Sequence, residues 1–303
     1  MKPQHFTIHS PNDYEISCME WLPSAAAAGA DMPGAAAVGS AGPLPALLCL
    51  HGFAGDKYST VIEAVAKDRC RAGFRCVTFD WPGHGDSTAD SSMLTIENCL
   101  ADLDAVVKHL RPAAAAVPSG STPAPLFCFA TSFGGYLAML DYRRHPEHFD
   151  RILLRSPALR MGKVLRSFLD EDHMRRFRDG EALNFGFDRP LFLHYDFLSD
   201  LETPDHDAFL PLDGIGCSPR RTARAEESAH DSAAPISAHA ASPIAIIHGD
   251  ADDVVPVTDS LRFAEDNDLP IRIVKGADHR YKKPGELEQI IDFAAEIFPA
   301  DAR

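Results

Sequence analysis

The sequence lacks three features that would each define a class of protein: a long apolar run, a paired cysteine motif and an excess of positive charge. None of its apolar runs reaches the roughly 20 residues that a membrane-spanning helix needs, so we expect no membrane span. Its 29 basic residues are outnumbered by 44 acidic ones, which gives a formal net charge of -15. Because binding to a nucleic-acid backbone requires clustered Lys and Arg, we also expect no nucleic-acid partner.

The seven cysteines are odd in number and include no C-x-x-C pair, which argues against a disulfide framework. Cys49 and Cys128 lie inside apolar runs, where cysteine packs as a small hydrophobe. The opening residues MKPQHFTIHSPNDYE contain no apolar stretch of the kind found in secretory signals. These features together predict a cytoplasmic protein in a reducing compartment.

Short apolar runs alternate with amphipathic stretches along most of the chain. The predicted strands cover 45–52, 74–83, 125–130, 151–158, 243–250 and 270–276, and the predicted helices cover 59–73, 95–110, 133–145 and 285–298. Continuous apolar strands that alternate with helices are typical of a parallel sheet covered on both faces. The chain is 45% hydrophobic over 303 residues, which is enough for a full-size core.

Residues 159–242 interrupt this alternation and are too many for a connecting loop. They begin with a helical pattern, MGKVLRSFLDEDHMRRFRDG, continue with aromatic-rich sequence and end in a polar run. We therefore predict a core of 1–158 and 243–303, with 159–242 inserted as a cap followed by a linker. Three stretches rich in Ala, Pro, Ser and Gly are predicted surface insertions, namely 24–44, 112–124 and 215–240.

The stretch FCFATSFGGYLAML places Ser132 between a predicted strand and a predicted helix. It is close to the G-x-S-x-G nucleophile elbow, in which small residues allow the strand and helix to approach closely. Ala130 stands in the place of the first glycine, and Gly134 keeps the second. The alternative is that Ser132 is a simple helix N-cap, and the local pattern alone does not separate the two.

Two downstream segments bear on that choice, HGDADDVVP after one predicted strand and GADHR after the last. A serine hydroxyl becomes a nucleophile when a histidine takes its proton, and a carboxylate must orient that histidine. Ser132, Asp252 and His279 supply these three groups in chain order, each just after a predicted strand. In an open parallel sheet the carboxyl ends of the strands form the ligand-binding edge, so the three side chains are predicted to meet there.

These motifs resemble those of the α/β-hydrolase superfamily, in its serine-esterase and serine-aminopeptidase-like group, which includes feruloyl esterases and monoacylglycerol lipases. LCLHGFAGDK resembles the oxyanion segment of that group, FDWPGHGDS its D-x-x-G-H-G-x-S loop, and HGDADDVVP and GADHR its acid and histidine loops. The resemblance implies an α/β-hydrolase fold, a doubly wound, mostly parallel sheet with a cap inserted between the sixth and seventh core strands.

The resemblance also assigns roles to individual residues. It implies a catalytic triad of Ser132, Asp252 and His279, with Asp253 as the alternative acid. It implies an oxyanion hole made by the backbone N–H groups of Phe53 and Phe133. In such proteins His51 and His84 more often hold their loops by hydrogen bonds than take part in the chemistry.

The predicted function is hydrolysis of carboxylic esters through an acyl-enzyme, with a small-molecule ester as the partner and no cofactor. Phe192 and Phe197 in the cap are candidate substrate contacts that favour apolar or aromatic groups. No metal site is predicted: the pair of histidines in HPEH (145–148) has no third ligand motif beside it. The glycines at 134–135 lack the Lys-Ser/Thr of a phosphate loop.

Four alternatives use the same residues or the same fold: a thioesterase, an aminopeptidase, a carbon–carbon bond hydrolase and a non-hydrolytic ligand-binding protein. An aminopeptidase needs carboxylates near the site to bind a free amine. The cap holds four candidates for that task, Glu171, Asp172, Asp196 and Asp200. The natural acyl and alcohol groups and the oligomeric state stay open at this point.

Overall fold

A computed structural model describes residues 2–24, 44–111, 124–186, 189–212 and 242–300. The three stretches predicted as surface insertions lie outside these ranges apart from residues 24, 44 and 124, so the linker predicted at the end of the inserted segment also falls outside the described residues. Among the described helices, none has the length and apolar character needed to cross a bilayer.

Eight strands form a single sheet in the order β1-β2-β4-β3-β5-β6-β9-β10. They are β1 (Gln4–His9), β2 (Glu15–Trp21), β3 (Ala46–Leu50), β4 (Arg75–Phe79), β5 (Leu126–Thr131), β6 (Arg151–Arg155), β9 (Ile244–Gly249) and β10 (Ile271–Val274). The six strands from β3 onward are parallel, while β2 runs antiparallel to both β1 and β4. The predicted mostly parallel sheet is confirmed, and the chain leaves it after the sixth strand and returns at the seventh, β9.

Helices cover both faces of this sheet. They are α1 (Thr60–Arg71), α2 (Ile96–Leu110), α3 (Phe133–Arg144), α7 (Val257–Asn267) and α8 (Glu286–Ile297). In β3, Leu48 and Leu50 belong to the core formed with α2, α3 and α7, while Leu47 and Cys49 belong to the core formed with α1 and α8. Successive side chains of a strand point to opposite faces, so a strand buried on both sides must be apolar throughout.

The antiparallel hairpin β1–β2 is absent from the sequence prediction. The side chains of β1 are exposed or half-buried, so its apolar residues give only a short alternating pattern. A buried carboxylate fastens the hairpin to α2: Asp102 accepts hydrogen bonds of 2.5 Å from Ser10 Oγ and 2.6 Å from Tyr14 Oη. This contact spans about 90 residues of sequence, which local patterns do not reveal.

The described part of the inserted segment contains α4 (Met161–Ser167), α5 (Glu171–Arg178), a two-stranded ribbon of β7 (Leu183–Asn184) and β8 (Phe192–Leu193), and α6 (Tyr195–Leu201). The single helical pattern predicted from Met161 onward is wrong, because the helix breaks at 168–170. Asp170 starts a new helix there, since its side chain accepts a 2.8 Å hydrogen bond from the His173 N–H. Phe177 and Phe197 of this segment are buried in the same core as α2 and α3.

Candidate active site

Ser132 lies on a sharp turn between β5 and α3. Its backbone angles, φ 50° and ψ -114°, belong to a region that non-glycine residues rarely occupy. It holds the N-cap position of α3, yet its hydroxyl makes no capping hydrogen bond to the helix. The turn therefore presents the Oγ atom away from the helix end, which separates Ser132 from the N-cap alternative.

Two glycines make this turn sterically possible. A Cβ atom on Gly134 would lie 2.7 Å from the carbonyl oxygens of both Leu50 and His51, and one on Gly135 would lie 2.9 Å from Pro157 Cβ. Either position with a side chain would force α3 away from its neighbours. The closeness of α3 to the sheet is thus built into the F-G-G sequence.

The structure brings Ser132, His279 and Asp252 into one hydrogen-bonded chain. His279 Nε2 lies 3.2 Å from Ser132 Oγ, and His279 Nδ1 lies 2.8 Å from Asp252 Oδ2. The nitrogen facing the carboxylate carries the hydrogen, which leaves the Nε2 lone pair to accept the serine proton. The side chain of His279 is 14% exposed and that of Asp252 is fully buried.

The Asp252 carboxylate is surrounded by donors. Oδ1 accepts the backbone N–H groups of Val254 at 3.0 Å and Val255 at 2.8 Å, and Oδ2 lies 3.1 Å from His248 Nε2 as well as next to His279. Burial opposes ionisation, but the hydrogen bonds from His248 and His279 outweigh it and hold the pKa of Asp252 well below its ordinary range. The carboxylate is therefore charged and fixed in place.

The two neighbouring aspartates are engaged differently. Asp250 accepts a hydrogen bond from the Gly276 N–H on the last strand's exit loop, and Asp253 is exposed. In the part of the chain that the structure describes, neither aspartate forms a hydrogen bond with His279. Of the acids that the sequence left open, the structure brings only Asp252 to the histidine.

The two candidate oxyanion amides belong to Phe133, which follows Ser132 directly, and to Phe53, which lies on the loop after β3. Neither donates a hydrogen bond to any residue that the structure describes. A Cβ atom on Gly52 would lie 3.2 Å from Ser132 Cβ, which shows how closely the loop after β3 approaches the nucleophile turn. Two unpaired amides beside a hydroxyl can stabilise an oxyanion that forms on a carbon attacked by that hydroxyl.

His51 and His84 hold the loop that carries Phe53. His84 Nδ1 lies 2.9 Å from Pro82 O and its Nε2 accepts the Ala54 N–H at 3.1 Å, while His51 Nδ1 lies 2.8 Å from Gly52 O. Each ring donates through Nδ1 and accepts through Nε2, so both are neutral. Burial lowers the pKa of both, that of His84 to about 3.

A buried lysine joins this loop to the next one. Lys57 is fully buried and pairs with Asp80, and it lies 2.7 Å from Asp86 Oδ2. Asp80 also accepts the backbone N–H groups of Lys57 and Asp86, both at 2.8 Å. A buried charge is tolerated when it is paired and fully hydrogen-bonded, so the D-x-x-G-H-G loop acts as a brace for the loop of Phe53.

Two further buried residues contact the triad, and neither has a role predicted from the sequence, although His248 opens the HGDADDVVP motif. His248 donates to Asp252 while its Nδ1 lies 2.8 Å from Ser260 Oγ of α7. Arg155, at the end of β6, donates to the main-chain oxygen of His279 and stacks on the Tyr281 ring, with its guanidinium 4.4 Å from the ring centroid. Both contacts join segments that are far apart in sequence or separated by a turn.

Of the two predicted substrate contacts, Phe197 packs against the residues that adjoin Ser132. Its ring stacks on Phe53 with centroids 6.2 Å apart and meets Phe133 edge-on at 6.3 Å. Phe192 instead has 47% of its surface exposed, because β8 turns the adjacent Leu193 inward. Neighbouring residues of a strand face opposite sides, and the role of Phe192 as a substrate contact stays a prediction.

Comparison with known proteins gives a family match and a set of similar folds. A family model described as serine aminopeptidase, S33 matches residues 42–178. A search of curated protein sequences finds no match.

Three solved structures are similar over nearly the whole chain. Est1E from Butyrivibrio proteoclasticus with ferulic acid bound has a TM-score of 0.64 at 18% identity and covers 96% of each chain. A putative hydrolase from Agrobacterium vitis has a TM-score of 0.67 at 16% identity and covers 98% of each chain. The Pyrococcus furiosus esterase PF2001 has a TM-score of 0.59 at 15% identity and covers 98% of this chain and 89% of its own. With this sheet order and these similar structures, the chain has the α/β-hydrolase fold, and the serine aminopeptidase family model matches a little under half of it.

Proposed function

We propose that this protein is a serine hydrolase that cleaves carboxylic esters with apolar or aromatic groups through an acyl-enzyme. The observation that carries the proposal is the hydrogen-bonded chain from Ser132 Oγ through His279 to Asp252, set on a strained turn. A nucleophile, its base and the group that orients the base are all within hydrogen-bond reach.

The proposed reaction proceeds in two halves. Ser132 Oγ bonds to the ester carbonyl carbon as its proton passes to His279 Nε2, and the carbonyl π electrons move onto oxygen. The tetrahedral intermediate then collapses, the bond to the alcohol oxygen breaks, and His279 returns the proton to that oxygen. Water repeats the same steps on the acyl-enzyme and releases the acid and Ser132.

The amides of Phe53 and Phe133 are proposed to receive the oxyanion. One such donor contributes about 3 kcal/mol to transition-state stabilisation. Because these donors are backbone groups, they depend on loop geometry, which His84 and the Lys57–Asp80 pair maintain. Asp252 keeps His279 in the correct tautomer and balances its charge after proton transfer.

The aromatic rings around the nucleophile support an apolar or aromatic substrate group. Phe53 contacts Phe133, Phe185 and Phe197, so rings from the core and the inserted segment meet directly beside Ser132. Such rings bind flat apolar groups by stacking and edge-on contact. The bound ferulic acid in the similar fold of Est1E is an aromatic acid, which agrees with this choice.

The test is labelling with a fluorophosphonate probe together with turnover of a panel of p-nitrophenyl esters. We expect Ser132→Ala to stay folded, to lose labelling and to lose about 10⁴-fold or more in kcat/KM. Ser167→Ala, at an exposed serine on α4, serves as the matched control and should behave as wild type. Retained labelling or turnover in folded Ser132→Ala would overturn the proposal.

The aminopeptidase alternative has less support from the same structure. Asp196, Asp200 and Glu97 line a cleft of about 720 Å³ beside Phe197. However, Asp200 and Glu97 both pair with His206, and Glu97 also binds Arg144. Glu171 and Asp172 lie exposed at the start of α5. Because only Asp196 is left to bind an amine, we expect ester turnover to exceed hydrolysis of aminoacyl naphthylamides.

A further inference from the structure

The turn after α3 carries two histidines and a glutamate that ester hydrolysis does not use. His148 N–H donates to His145 O at 3.0 Å, which closes a β-turn with Pro146 in its second position. The turn places His145, Glu147 and His148 together, and one potential ligand atom from each lies within 4.8 Å of the others.

His148 is oriented by a buried carboxylate. Its Nδ1 lies 3.1 Å from both oxygens of Asp141 on α3, and the Asp141 side chain is 2% exposed. Nδ1 therefore carries the hydrogen, and the lone pair of Nε2 points away from Asp141. Metal-binding histidines in proteins commonly donate one ring N–H to a carboxylate, which orients the other ring nitrogen toward the metal. His148 and Asp141 have this arrangement.

A fourth ligand comes from α2. Asp104 Oδ1 lies 3.7 Å from His148 Nε2, while its Oδ2 pairs with Lys108 at 2.5 Å. On the other side of the turn, His145 Nδ1 lies 3.7 Å from Glu147 Oε1. In a tetrahedral zinc site with bonds of about 2.1 Å, neighbouring ligand atoms stand about 3.4 Å apart. Both measured separations are within a few tenths of an ångström of that spacing.

The two exposed ligands, His145 and Glu147, must turn to complete the site. The rings of His145 and His148 are stacked, with centroids 4.5 Å apart and planes 17° from parallel, so their lone pairs do not yet converge. The His145 side chain is 46% exposed and that of Glu147 is 71% exposed. Both can rotate into solvent-side positions without disturbing the core, whereas His148 stays fixed by Asp141.

We propose that His145, Glu147, His148 and Asp104 form a binding site for a divalent transition-metal ion of the zinc type. Two imidazoles and two carboxylates are ligands that Zn²⁺ accepts in tetrahedral geometry. The sequence argued against this site because HPEH lacked a third ligand motif, and the carboxylate of α2 was not visible from it. This inference does not depend on the proposed ester chemistry.

The bound ion would stabilise the folded state and would not change the rate of ester hydrolysis. It would join α2 to the end of α3, and α3 spans about 18 Å at 1.5 Å per residue, so the site stands far from Ser132 at the other end of the helix. A ligand that binds only the folded state raises the unfolding temperature. Ester turnover should be the same with and without the metal.

The experiment is titration of the metal-free full-length protein with ZnCl₂ by isothermal calorimetry, followed by thermal unfolding with and without zinc. The test variant is His145→Ala/Glu147→Gln, which removes two exposed ligands and leaves the core intact. The matched control is His9→Ala/Glu15→Gln, which makes the same changes at an exposed pair 3.1 Å apart elsewhere on the surface. A third variant, Asp141→Asn, tests the orientation of His148.

We expect wild type and control to bind one zinc ion at this site and to unfold at a higher temperature in its presence. The double variant should lose both effects, and Asp141→Asn should bind about 10- to 100-fold more weakly. Co²⁺ in place of Zn²⁺ should give the visible absorption of a tetrahedral site in wild type and in the control, but not in the double variant. Equal zinc binding by wild type and the double variant, or no saturable binding by wild type, would overturn the proposal.

Discussion

Among single residues, Asp252 differs from Asp250 and Asp253 in the number of donors that its carboxylate accepts. Two backbone N–H groups and two imidazoles converge on its oxygens, and its side chain is fully buried. An amide in this place cannot accept from every one of these donors, because its NH₂ group would face an N–H. The acid of the proposed triad is therefore defined by its surroundings as much as by its contact with His279.

We expect Asp252→Asn to lower kcat by about 10⁴-fold, because the amide cannot favour the required histidine tautomer or balance its charge. Asp253→Asn changes an exposed side chain and should stay within a factor of a few of wild type. Steady-state kinetics on one p-nitrophenyl ester would check both variants. If Asp253→Asn were the more damaged of the two, the assignment of the acid would be wrong.

Arg155 is a residue that we expect to position His279. Burial lowers the pKa of its guanidinium, and among the described residues it has no carboxylate within ion-pair distance; its contacts are the His279 carbonyl and the Tyr281 ring. Arg155→Met removes the donor and should lower kcat about 10²-fold with little change in KM, because a small displacement of the base is costly. Arg155→Lys keeps a donor and should recover part of the loss.

The readout for Arg155 is the split between kcat and KM, measured on variants of equal unfolding temperature or corrected for their folded fraction. A variant that is only less stable would lose active protein without selectively changing the per-molecule kcat. Unchanged kcat per folded molecule in Arg155→Met would refute the positioning role.

At the scale of elements, the inserted segment meets the core through Phe197 of α6. The ring stacks on Phe53 and contacts Phe133, the two residues whose amides are proposed to receive the oxyanion. Phe197→Ala should therefore change the ratio of kcat/KM between bulky aromatic and short aliphatic esters by about 10- to 200-fold, the equivalent of one lost apolar contact. Fluorophosphonate labelling of Ser132 should persist.

The matched control is Phe168→Ala, at a ring that is 57% exposed on the same segment. It should leave the ranking of esters unchanged. If Phe197→Ala also left that ranking unchanged, the inserted segment would not determine specificity, and the loop after β3 would be the next candidate.

The contact between the N-terminal hairpin and α2 gives a second prediction at this scale. Burial raises the pKa of Asp102 from 3.8 to about 6, so between these values the folded state binds more protons than the unfolded state. Stability should then fall as pH rises from about 4 to 6, by at most about 3 kcal/mol, and level off above. Asp102→Asn should abolish this decline, as urea unfolding at several pH values would show. A decline of equal size in the variant would contradict the assignment.

For the molecule as a whole, the sequence could predict what depends on local pattern. Buried strands such as β3 are continuous apolar runs, and Ser132, Asp252 and His279 each follow a strand, so their common edge could be predicted. The hairpin, the break at Asp170 and the role of Arg155 could not. Arg155 reaches His279 across 124 residues, and nothing in the local sequence of either residue encodes that contact.

The balance of buried ionisable groups also sets how the whole molecule responds to acid. His51 and His84 are neutral and buried, and burial lowers the pKa of both, that of His84 from 6.5 to about 3. Below pH 6.5 these two histidines become protonated in the unfolded chain but stay neutral in the folded protein. The free energy of unfolding must therefore decrease as the pH is lowered. This slope has the opposite sign to that of Asp102. For His84 alone the loss between pH 6.5 and pH 5 is about 2 kcal/mol.

We therefore expect His84→Gln to reduce the loss of unfolding free energy between pH 7.5 and pH 5 by about 2 kcal/mol, whatever its absolute stability. Glutamine can still offer an acceptor to the Ala54 N–H but has no proton to gain in this range. Urea unfolding at the two pH values gives the difference directly, and His9→Gln, at an exposed ring, is the control that should keep the wild-type loss. An unchanged pH dependence in His84→Gln would show that His84 is not held neutral in the folded state. In that case the imidazole could not be the acceptor that fixes the Ala54 N–H and, through it, the amide of Phe53.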